Sequence, residues 1–228
     1  MYPGNKLKAI TFSFDDGVEQ DVRLIALFNK YHLKGTFNLN SGIQTRANSF
    51  QNNGVTIHRL NMTELPLVYQ GHEVAVHTLT HPHLENLDRE TIINELIQDK
   101  RNLENCMGYP IRGMAYPYGS HTPLVNEAIK ACGLSYARDT RDFLSFSANR
   151  SLIPFSPTCH YSHPDLMDLA RQFAACKPTE PMLFYVWGHS YEFDVNDDWS
   201  LMEEFLEYVS GRNELFYGTN AQVLLSNG

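Results

Sequence analysis

The stretch Lys8-Ala-Ile-Thr-Phe-Ser-Phe-Asp15-Asp16-Gly17 joins a β-strand pattern to two adjacent carboxylates. The alternation of β-branched and aromatic residues with other residues predicts a strand. Gly17 then allows a sharp turn, because a residue without Cβ adopts positive φ freely. Neighbouring aspartates repel each other, and a divalent cation is the commonest reason for a fold to hold them together. The alternative is an ordinary Asp-Asp-Gly surface turn, since turns favour the same residues.

Strand-like and helix-like segments alternate about seven times along the chain, without a linker or a repeat of fixed period. Such alternation predicts an α/β fold with a parallel sheet and crossover helices. Seven units in one compact domain, residues 1–228, favour a closed or nearly closed barrel, and a doubly wound open sheet is the alternative. Residues 40–54 are predicted to form a loop, and residues 139–164 an irregular segment with a short strand near Ile153. After the first strand, the other strands are predicted at 34–39, 73–76, 112–116, 134–138, 182–187 and 215–217, and the helices at 21–31, 63–70, 88–107, 122–133, 164–176, 199–210 and the C-terminus.

The composition limits the classes of partner. A net charge of −8 without any basic block argues against nucleic acid, whereas 43% hydrophobic residues suit a packed core. The longest wholly apolar run, residues 182–187, is too short to span a bilayer. We expect no membrane partner and, because no signal peptide is visible, a cytoplasmic location. The four cysteines lack Cys-x-x-Cys spacing, which favours free thiols in a reducing compartment. The sequence does not indicate an oligomeric state.

Polar residues with useful chemistry follow four of the predicted strands. Asp15 and Asp16 follow the first strand, His77 the third, Tyr118 the fourth and His189 the sixth. Parallel α/β barrels place their active sites at the C-terminal ends of the strands. The pattern therefore predicts that these side chains converge on one site.

His77 and His81 lie four residues apart, on a loop that continues into Pro82. Together with Asp16 they form a set of two imidazoles and one carboxylate. Three protein ligands with room for water are typical of a catalytic divalent metal site. The alternative is a pair of exposed loop histidines in a chain that contains ten.

His189 follows a predicted buried strand and precedes an aromatic loop. A histidine in this position titrates near neutral pH and can serve as a general acid. The alternative is a structural histidine whose hydrogen bonds are satisfied beneath the loop. The nearby Trp187, Tyr191 and Trp199 are candidates for stacking on a sugar ring, with ordinary core packing as the alternative.

Four segments taken together resemble the ordered motifs of the polysaccharide deacetylases, also called the NodB-homology or carbohydrate esterase family 4 group. They are Thr11–Gly17, His77-Thr-Leu-Thr-His81, Tyr116-Pro-Tyr-Gly119 and Trp187-Gly-His189. The resemblance extends over nearly the whole chain. It implies a distorted parallel (β/α) barrel of about seven strands and metal-dependent removal of acetyl groups, mainly N-acetyl, from a sugar or polysaccharide. It also implies one divalent ion, zinc with cobalt or nickel as alternatives.

The resemblance also implies roles for individual residues. An amide is a poor electrophile, so the reaction needs a Lewis acid, a base for the attacking water, an acid for the leaving nitrogen and a donor for the oxyanion. By position the implied roles are general base for Asp15, metal ligands for Asp16, His77 and His81, general acid for His189, and oxyanion donor for the backbone N–H of Tyr118.

Ala115 departs from the family pattern. Members often carry an arginine at this position, which orients the catalytic base, and here Arg112 and Arg138 are the candidates to replace it. The fourth motif is matched only loosely by residues 139–143. The carboxylate partner of His189 is therefore left open among Asp142, Glu192 and Asp194.

Two rival functions are compatible with the same barrel. One is a catalytically silent carbohydrate-binding protein, although such a protein needs neither Asp15 nor His189. The other is a metal-dependent hydrolase of a non-sugar amide. A wide groove lined by aromatic residues would favour sugars, and a narrow closed pocket would favour the small amide.

Overall fold

The structure, a computed structural model that describes residues 1–226, is organised around the predicted first strand. This strand pairs in parallel with three others. The strands are β1 (Lys8–Asp15), β2 (Gly35–Leu39), β3 (Phe50–Asn52), β4 (Val55–Ile57), β5 (Glu73–Val76), β6 (Gly113–Ala115), β7 (Tyr136–Arg138), β8 (Cys159–His160), β9 (Met182–Gly188) and β10 (Leu215–Tyr217). The helices are α1 (Gln20–Lys30), α2 (Leu65–Val68), α3 (Arg89–Met107), α4 (Pro123–Ala131), α5 (Leu166–Ala175), α6 (Glu192–Asn196), α7 (Trp199–Val209) and α8 (Asn220–Leu224).

The main sheet curves into most of a barrel. Its strand order is β7-β6-β5-β2-β1-β9-β8, and β10 pairs with the N-terminal half of β1. An irregular segment lies between the outer strands: the Phe155 N–H donates to the Ala137 carbonyl of β7 at 2.7 Å, and the Thr158 N–H donates to the Tyr185 carbonyl of β9 at 2.8 Å. This arrangement confirms the predicted distorted parallel (β/α) barrel and not the doubly wound alternative.

The hydrophobic core lies outside the barrel, between the sheet and its helices. The outward side chains of β1 include Phe12, which contacts Phe28 of α1 with 4.9 Å between ring centroids and Phe205 of α7 at 6.2 Å. Burying each such ring contributes about 1.5–3 kcal/mol. The outward-facing side chains of β1 therefore pack against helices from two parts of the chain, which explains why this strand lies at the centre of the fold.

The inside of the barrel contains many polar groups, which the sequence interpretation did not predict. A small apolar cluster that includes Ala9, Leu183 and Tyr185 lies on the same face of β1 and β9. Asn38 donates hydrogen bonds to the Ser13 hydroxyl at 2.9 Å and to Asp15 Oδ1 at 2.8 Å. At the opposite end the buried Glu73 carboxylate accepts the Ala221 N–H at 2.9 Å, so the start of α8 covers that end of the barrel. Buried polar groups need such partners. The catalytic candidate Asp15 thus rests on an ordered hydrogen-bonded interior.

The irregular regions contain structure that was not predicted. The short strand expected near Ile153 is reduced to a single parallel bridge between Phe155 and Arg138, and the next strand is the two-residue β8. The predicted 40–54 loop contains β3, which pairs with β4 around Asn53 and Gly54, both at positive φ. Asn-Gly is the strongest short-range signal for a hairpin, so this sequence contained evidence for the turn. The short helix α6 was also missed.

None of the described helices is long and apolar enough to cross a membrane. All four cysteines are free thiols; Cys132 and Cys159 are buried, whereas Cys106 and Cys176 are partly exposed. The cytoplasmic location and the single domain remain predictions. The last two residues of that domain, 227 and 228, lie outside the described residues.

Candidate metal centre and active site

The predicted site residues converge at the C-terminal rim of the barrel. Asp15 is the last residue of β1, and His77 and His189 directly follow β5 and β9. The rim contains a pocket of about 380 Å³. Its lining residues are Asp15, Asp16, His77, His81, Tyr116, Tyr118, Thr140, Trp187, His189 and Tyr191.

Asp16, His77 and His81 form a compact donor set. One ligand atom from each lies within 4.8 Å of the other two, and the Nε2 atoms of the histidines are 3.1 Å apart. That separation suits neighbouring ligands about 2.0–2.1 Å from a single zinc ion. Burial lowers the pKa of both histidines, that of His81 to about 4, so both rings are neutral and offer lone pairs. His77 Nδ1 lies 2.8 Å from the Ala115 carbonyl, which fixes the tautomer that leaves Nε2 free.

Backbone strain is concentrated around this donor set. Asp16, Thr78, His81 and Tyr118 all have positive φ, at 83°, 67°, 62° and 58°. Such conformations cost non-glycine residues about 1–3 kcal/mol each and persist only where surrounding contacts enforce them. One such contact is the hydrogen bond from the His81 N–H to the Thr78 hydroxyl, 3.1 Å long. The fold therefore holds two of the three candidate ligands in strained conformations.

Asp15 has a different environment from its neighbour Asp16. It is 2% exposed, and Nη2 of the fully buried Arg138 lies 2.5 Å from both of its carboxylate oxygens. Burial alone would raise the pKa of Asp15, but the charge and hydrogen bond of Arg138, together with the charge of His189, lower it to about 2. Asp15 is therefore an ionised carboxylate at neutral pH.

Arg138 occupies the position that Ala115 leaves open. It ends β7 and reaches Asp15 across the barrel, whereas Arg112 precedes β6 and is exposed. Of the two arginines left open by the sequence, Arg138 is the one that contacts Asp15.

His189 faces both aspartates. Its Nε2 lies 3.9 Å from Asp15 Oδ2 and 4.0 Å from Asp16 Oδ2, and its Nδ1 lies 3.3 Å from Glu192 Oε1. The Nδ1 contact is an ion pair without the alignment of a hydrogen bond. Burial alone would lower the pKa of His189, but Glu192 and the two aspartates raise it to about 9. In this environment the ring carries a proton at neutral pH.

Of the three carboxylates left open as partners of His189, Glu192 is the one placed beside it. Its other oxygen, Oε2, lies 3.1 Å from Nε2 of His160, and contacts with both imidazoles outweigh burial to hold the pKa of Glu192 well below its usual range. Asp142 instead accepts the His160 N–H at 2.8 Å, and Asp194 accepts the indole N–H of Trp199 at 2.6 Å.

The aromatic residues that were candidates for sugar stacking are buried, and a different aromatic residue is exposed at the pocket. Trp187, Tyr191 and Trp199 are all less than a tenth exposed, and Trp187 packs beneath the Arg138 guanidinium at 4.5 Å. Tyr118, in contrast, is 54% exposed and stacks on His83 with 3.7 Å between centroids and 6° between planes. The exposed aromatic surface at the pocket is therefore the ring of Tyr118, a residue considered from sequence only for its backbone.

Several residues at the site were not predicted as site residues: the pocket-lining Tyr116 and Thr140, and their neighbours Arg59, His83 and His160. Arg59 follows the unpredicted hairpin, and His160 ends the two-residue β8, so neither followed a recognisable strand. His83 lies two residues beyond His81, and only its proximity to the histidine motif could have drawn attention to it.

Residues 3–137, more than half of the chain, match the family model described as polysaccharide deacetylase. The chain belongs to the polysaccharide deacetylase family. The matched range contains Asp15, Asp16, His77, His81 and Tyr118, and ends just before Arg138.

One relative of the chain is the peptidoglycan-N-acetylglucosamine deacetylase PgdA of Listeria monocytogenes. The two sequences are 26% identical over 138 residues. The match covers 60% of this chain and 27% of PgdA, so the chain spans about a quarter of its relative's length.

Two solved structures share the fold of this polysaccharide deacetylase family member. A family 4 acetyl xylan esterase from Clostridium thermocellum, in complex with a cobalt ion, aligns with a TM-score of 0.60 at 14% identity, covering 96% of this chain and 92% of its own. BA3943 of Bacillus anthracis, a pseudoenzyme of carbohydrate esterase family 4, aligns with a TM-score of 0.58 at 18% identity. The alignment covers 98% of this chain and 66% of BA3943. At these identities the likeness concerns the fold alone.

Proposed function

We propose that this protein is a metal-dependent hydrolase that removes acetyl groups, mainly N-acetyl, from a sugar or polysaccharide. The observation that carries the proposal is the contrast between two adjacent carboxylates. Asp16 faces two neutral imidazoles, whereas Asp15 is paired with Arg138 and remains ionised. A binding protein has no use for a separately held base. Membership of the polysaccharide deacetylase family supports the class of substrate.

The donor set Asp16, His77 and His81 would hold one divalent ion, zinc with cobalt or nickel as alternatives. Two imidazole nitrogens and one carboxylate oxygen suit these metals and leave positions open for substrate and water. When bound, the ion supplies a Lewis acid that polarises the acetyl carbonyl and makes water more acidic.

The protein's own residues supply the proton transfers. Asp15, ionised and hydrogen-bonded by Asn38, is the base that takes a proton from the attacking water. His189, which lies 3.9 Å from Asp15 on the same wall, is the acid that protonates the leaving nitrogen. The backbone N–H of Tyr118 is the proposed donor to the oxyanion. General acid and general base each contribute about 10²–10⁴-fold to the rate.

The rim of the pocket, and not its volume, supports a sugar over a small non-sugar amide. At about 380 Å³ the pocket falls at the lower end of the range typical of ligand pockets, about 300–1,000 Å³, which suits either substrate. The exposed ring of Tyr118, backed by His83, gives its rim a flat aromatic surface suited to the apolar face of a sugar.

Acetate release from a panel of N- and O-acetylated sugars, with a cyclic amide for comparison, tests the proposed function. We expect release from the N-acetylated sugars, a loss of at least about tenfold on treatment with a chelator, and recovery when zinc is returned. Release that is unaffected by metal removal would contradict the metal dependence. Binding of acetylated sugars without any release would identify a silent barrel instead.

Replacing Glu192 with glutamine is expected to shift the alkaline limb of the kcat/KM profile to lower pH. The Glu192 carboxylate stabilises the protonated His189 ring, so its loss lowers the pKa of that ring from about 9. Removing an opposite charge at this distance shifts a pKa by about 1–3 units. The measurement is kcat/KM for acetate release between about pH 6 and pH 10, a range that spans the alkaline limb.

Asp194→Asn is the matched control for Glu192→Gln. Asp194 lies two residues along the same short helix, but it contacts Trp199 and Gln20. The alkaline limb of the kcat/KM profile of Asp194→Asn should match that of the wild type. If both variants shift equally, Glu192 has no specific role towards His189.

A further inference from the structure

Arg59 holds the proposed metal ligand Asp16 at two points. Its Nη1 donates to the Asp16 backbone carbonyl at 2.5 Å, and its Nη2 lies 3.3 Å from Asp16 Oδ1. Both residues are 7% exposed, so the contact is sheltered from water. The guanidinium therefore contacts the main chain and one carboxylate oxygen of the same residue.

These contacts engage one carboxylate oxygen of Asp16 and leave the other without a contact to Arg59. Oδ1 is engaged by Arg59, while Oδ2 lies on the side of His189, 4.0 Å from its Nε2. The Asp16 N–H donates to the Asn38 carbonyl at 3.0 Å, so the peptide groups on both sides of Asp16 are hydrogen-bonded. Since Asp16 has a φ of +83°, its conformation depends on such contacts.

The hairpin of β3 and β4 fixes the position of Arg59. The backbone of Arg59 forms an antiparallel bridge with Val18. The guanidinium of Arg59 lies 5.2 Å from the centroid of the Phe50 ring, which belongs to β3. Phe50 packs in turn against Tyr191, with 5.4 Å between centroids. The hairpin thus connects Arg59 to the loop that carries His189.

We propose that Arg59 is a positioning residue of the metal site: it fixes the backbone and carboxylate of Asp16 so that Oδ2 alone is presented to the ion. This inference rests on the proposed function, because it assumes that Asp16 is a ligand. The shorter of the two contacts is to the carbonyl. For this role the effect of Arg59 on the backbone of Asp16 must outweigh its repulsion of a cation, and zinc affinity without Arg59 measures this balance.

The test compares metal affinity in the wild type, Arg59→Met, Arg59→Lys and Arg46→Met. Arg46 is the matched control, an exposed arginine on the same connection that pairs with Glu19 and Glu64. Zinc affinity is measured by competition with a chelating dye, and the visible spectrum of the cobalt-loaded protein reports ligand geometry. We expect Arg59→Met to bind zinc about 10–100-fold more weakly, with an altered cobalt spectrum, because partners of metal ligands have effects of this size.

The lysine variant separates charge from geometry. Lysine keeps the positive charge but lacks the two-point fork, so we expect Arg59→Lys to bind zinc more weakly than the wild type and Arg46→Met to be unchanged. Wild-type affinity in Arg59→Met, tighter binding in that variant, or wild-type affinity in Arg59→Lys would each overturn the inference. If Arg59→Met does not fold, the result for Arg59→Lys decides. Failure of the wild type itself to bind metal would instead refute the proposed function.

Discussion

Replacing Arg138 with methionine is expected to lower the free energy of unfolding by about 3–5 kcal/mol, the usual cost of leaving a buried charge without its partner. Arg138 is fully buried and contacts both oxygens of Asp15, which is itself 2% exposed. Methionine occupies part of the same space but cannot neutralise the carboxylate. Chemical denaturation of the metal-free protein at neutral pH measures this effect.

The same substitution should also reduce acetate release at neutral pH, towards the limit of about 10²–10⁴-fold that complete loss of a general base would cause. Arg138 is the main charge that lowers the pKa of Asp15 to about 2 against the effect of burial. Without it the pKa of Asp15 rises and less of the base is ionised. The acid limb of kcat/KM should therefore move to higher pH in Arg138→Met.

The pH dependence of stability follows from the same pair. A carboxyl whose folded pKa is depressed contributes stability that is fully present above its unfolded pKa, about 3.9, and is lost as pH falls towards the folded value. For Asp15 that value is about 2. The stabilisation that the wild type derives from this pair should thus be lost between about pH 4 and pH 2, and Arg138→Met should lack this loss.

Two further variants control for loss of packing. Arg112→Met removes the exposed arginine that the sequence had left as an alternative, and it should leave stability and activity unchanged. The double variant Asp15→Asn/Arg138→Met removes both charges, so it should be less destabilised than the sum of the two single changes. Simple additivity would show that the charges are not coupled, and an equal effect of Arg112→Met would contradict the assignment of Arg138.

The sequence predicted those site residues that directly follow recognisable strands. Asp15 ends its strand, and His77 and His189 directly follow theirs. These strands are long enough for their alternation or apolar character to show, and the parallel topology brings their ends to one rim. A local pattern is sufficient for this inference. The fold class follows from the same regularity.

The residues that act on these groups were harder to predict because they come from distant or irregular segments. Arg138 and Asp15 are 123 positions apart, and Arg59 and Asp16 are 43 apart. No periodicity connects such pairs; only the curvature of the sheet and the placement of a hairpin bring them together. The polar barrel interior was missed for a related reason, since alternation in β1 predicts a strand without showing which face is enclosed.

Asp16→Asn should weaken metal binding, whereas Asp15→Asn should leave it nearly unchanged. Asp15 contacts Arg138 and Asn38, so its replacement should leave zinc affinity within a few-fold while reducing kcat by about 10²–10⁴-fold, the contribution of a general base. Asp16 belongs to the donor set with His77 and His81, so its replacement should weaken zinc binding and lower activity as a consequence. The measurements are bound zinc after dialysis and acetate release at saturating zinc.

Comparison of these two variants separates a base from a ligand, because the residues are adjacent in sequence and differ only in their surroundings. Saturating zinc should restore part of the activity of Asp16→Asn, since a weakened site still fills at high concentration, but none of the activity of Asp15→Asn. Melting temperatures of both variants are needed as a control, because asparagine at position 15 leaves the buried Arg138 without its counter-charge. Zinc loss in Asp15→Asn, or full activity in either variant without added zinc, would contradict this division of roles.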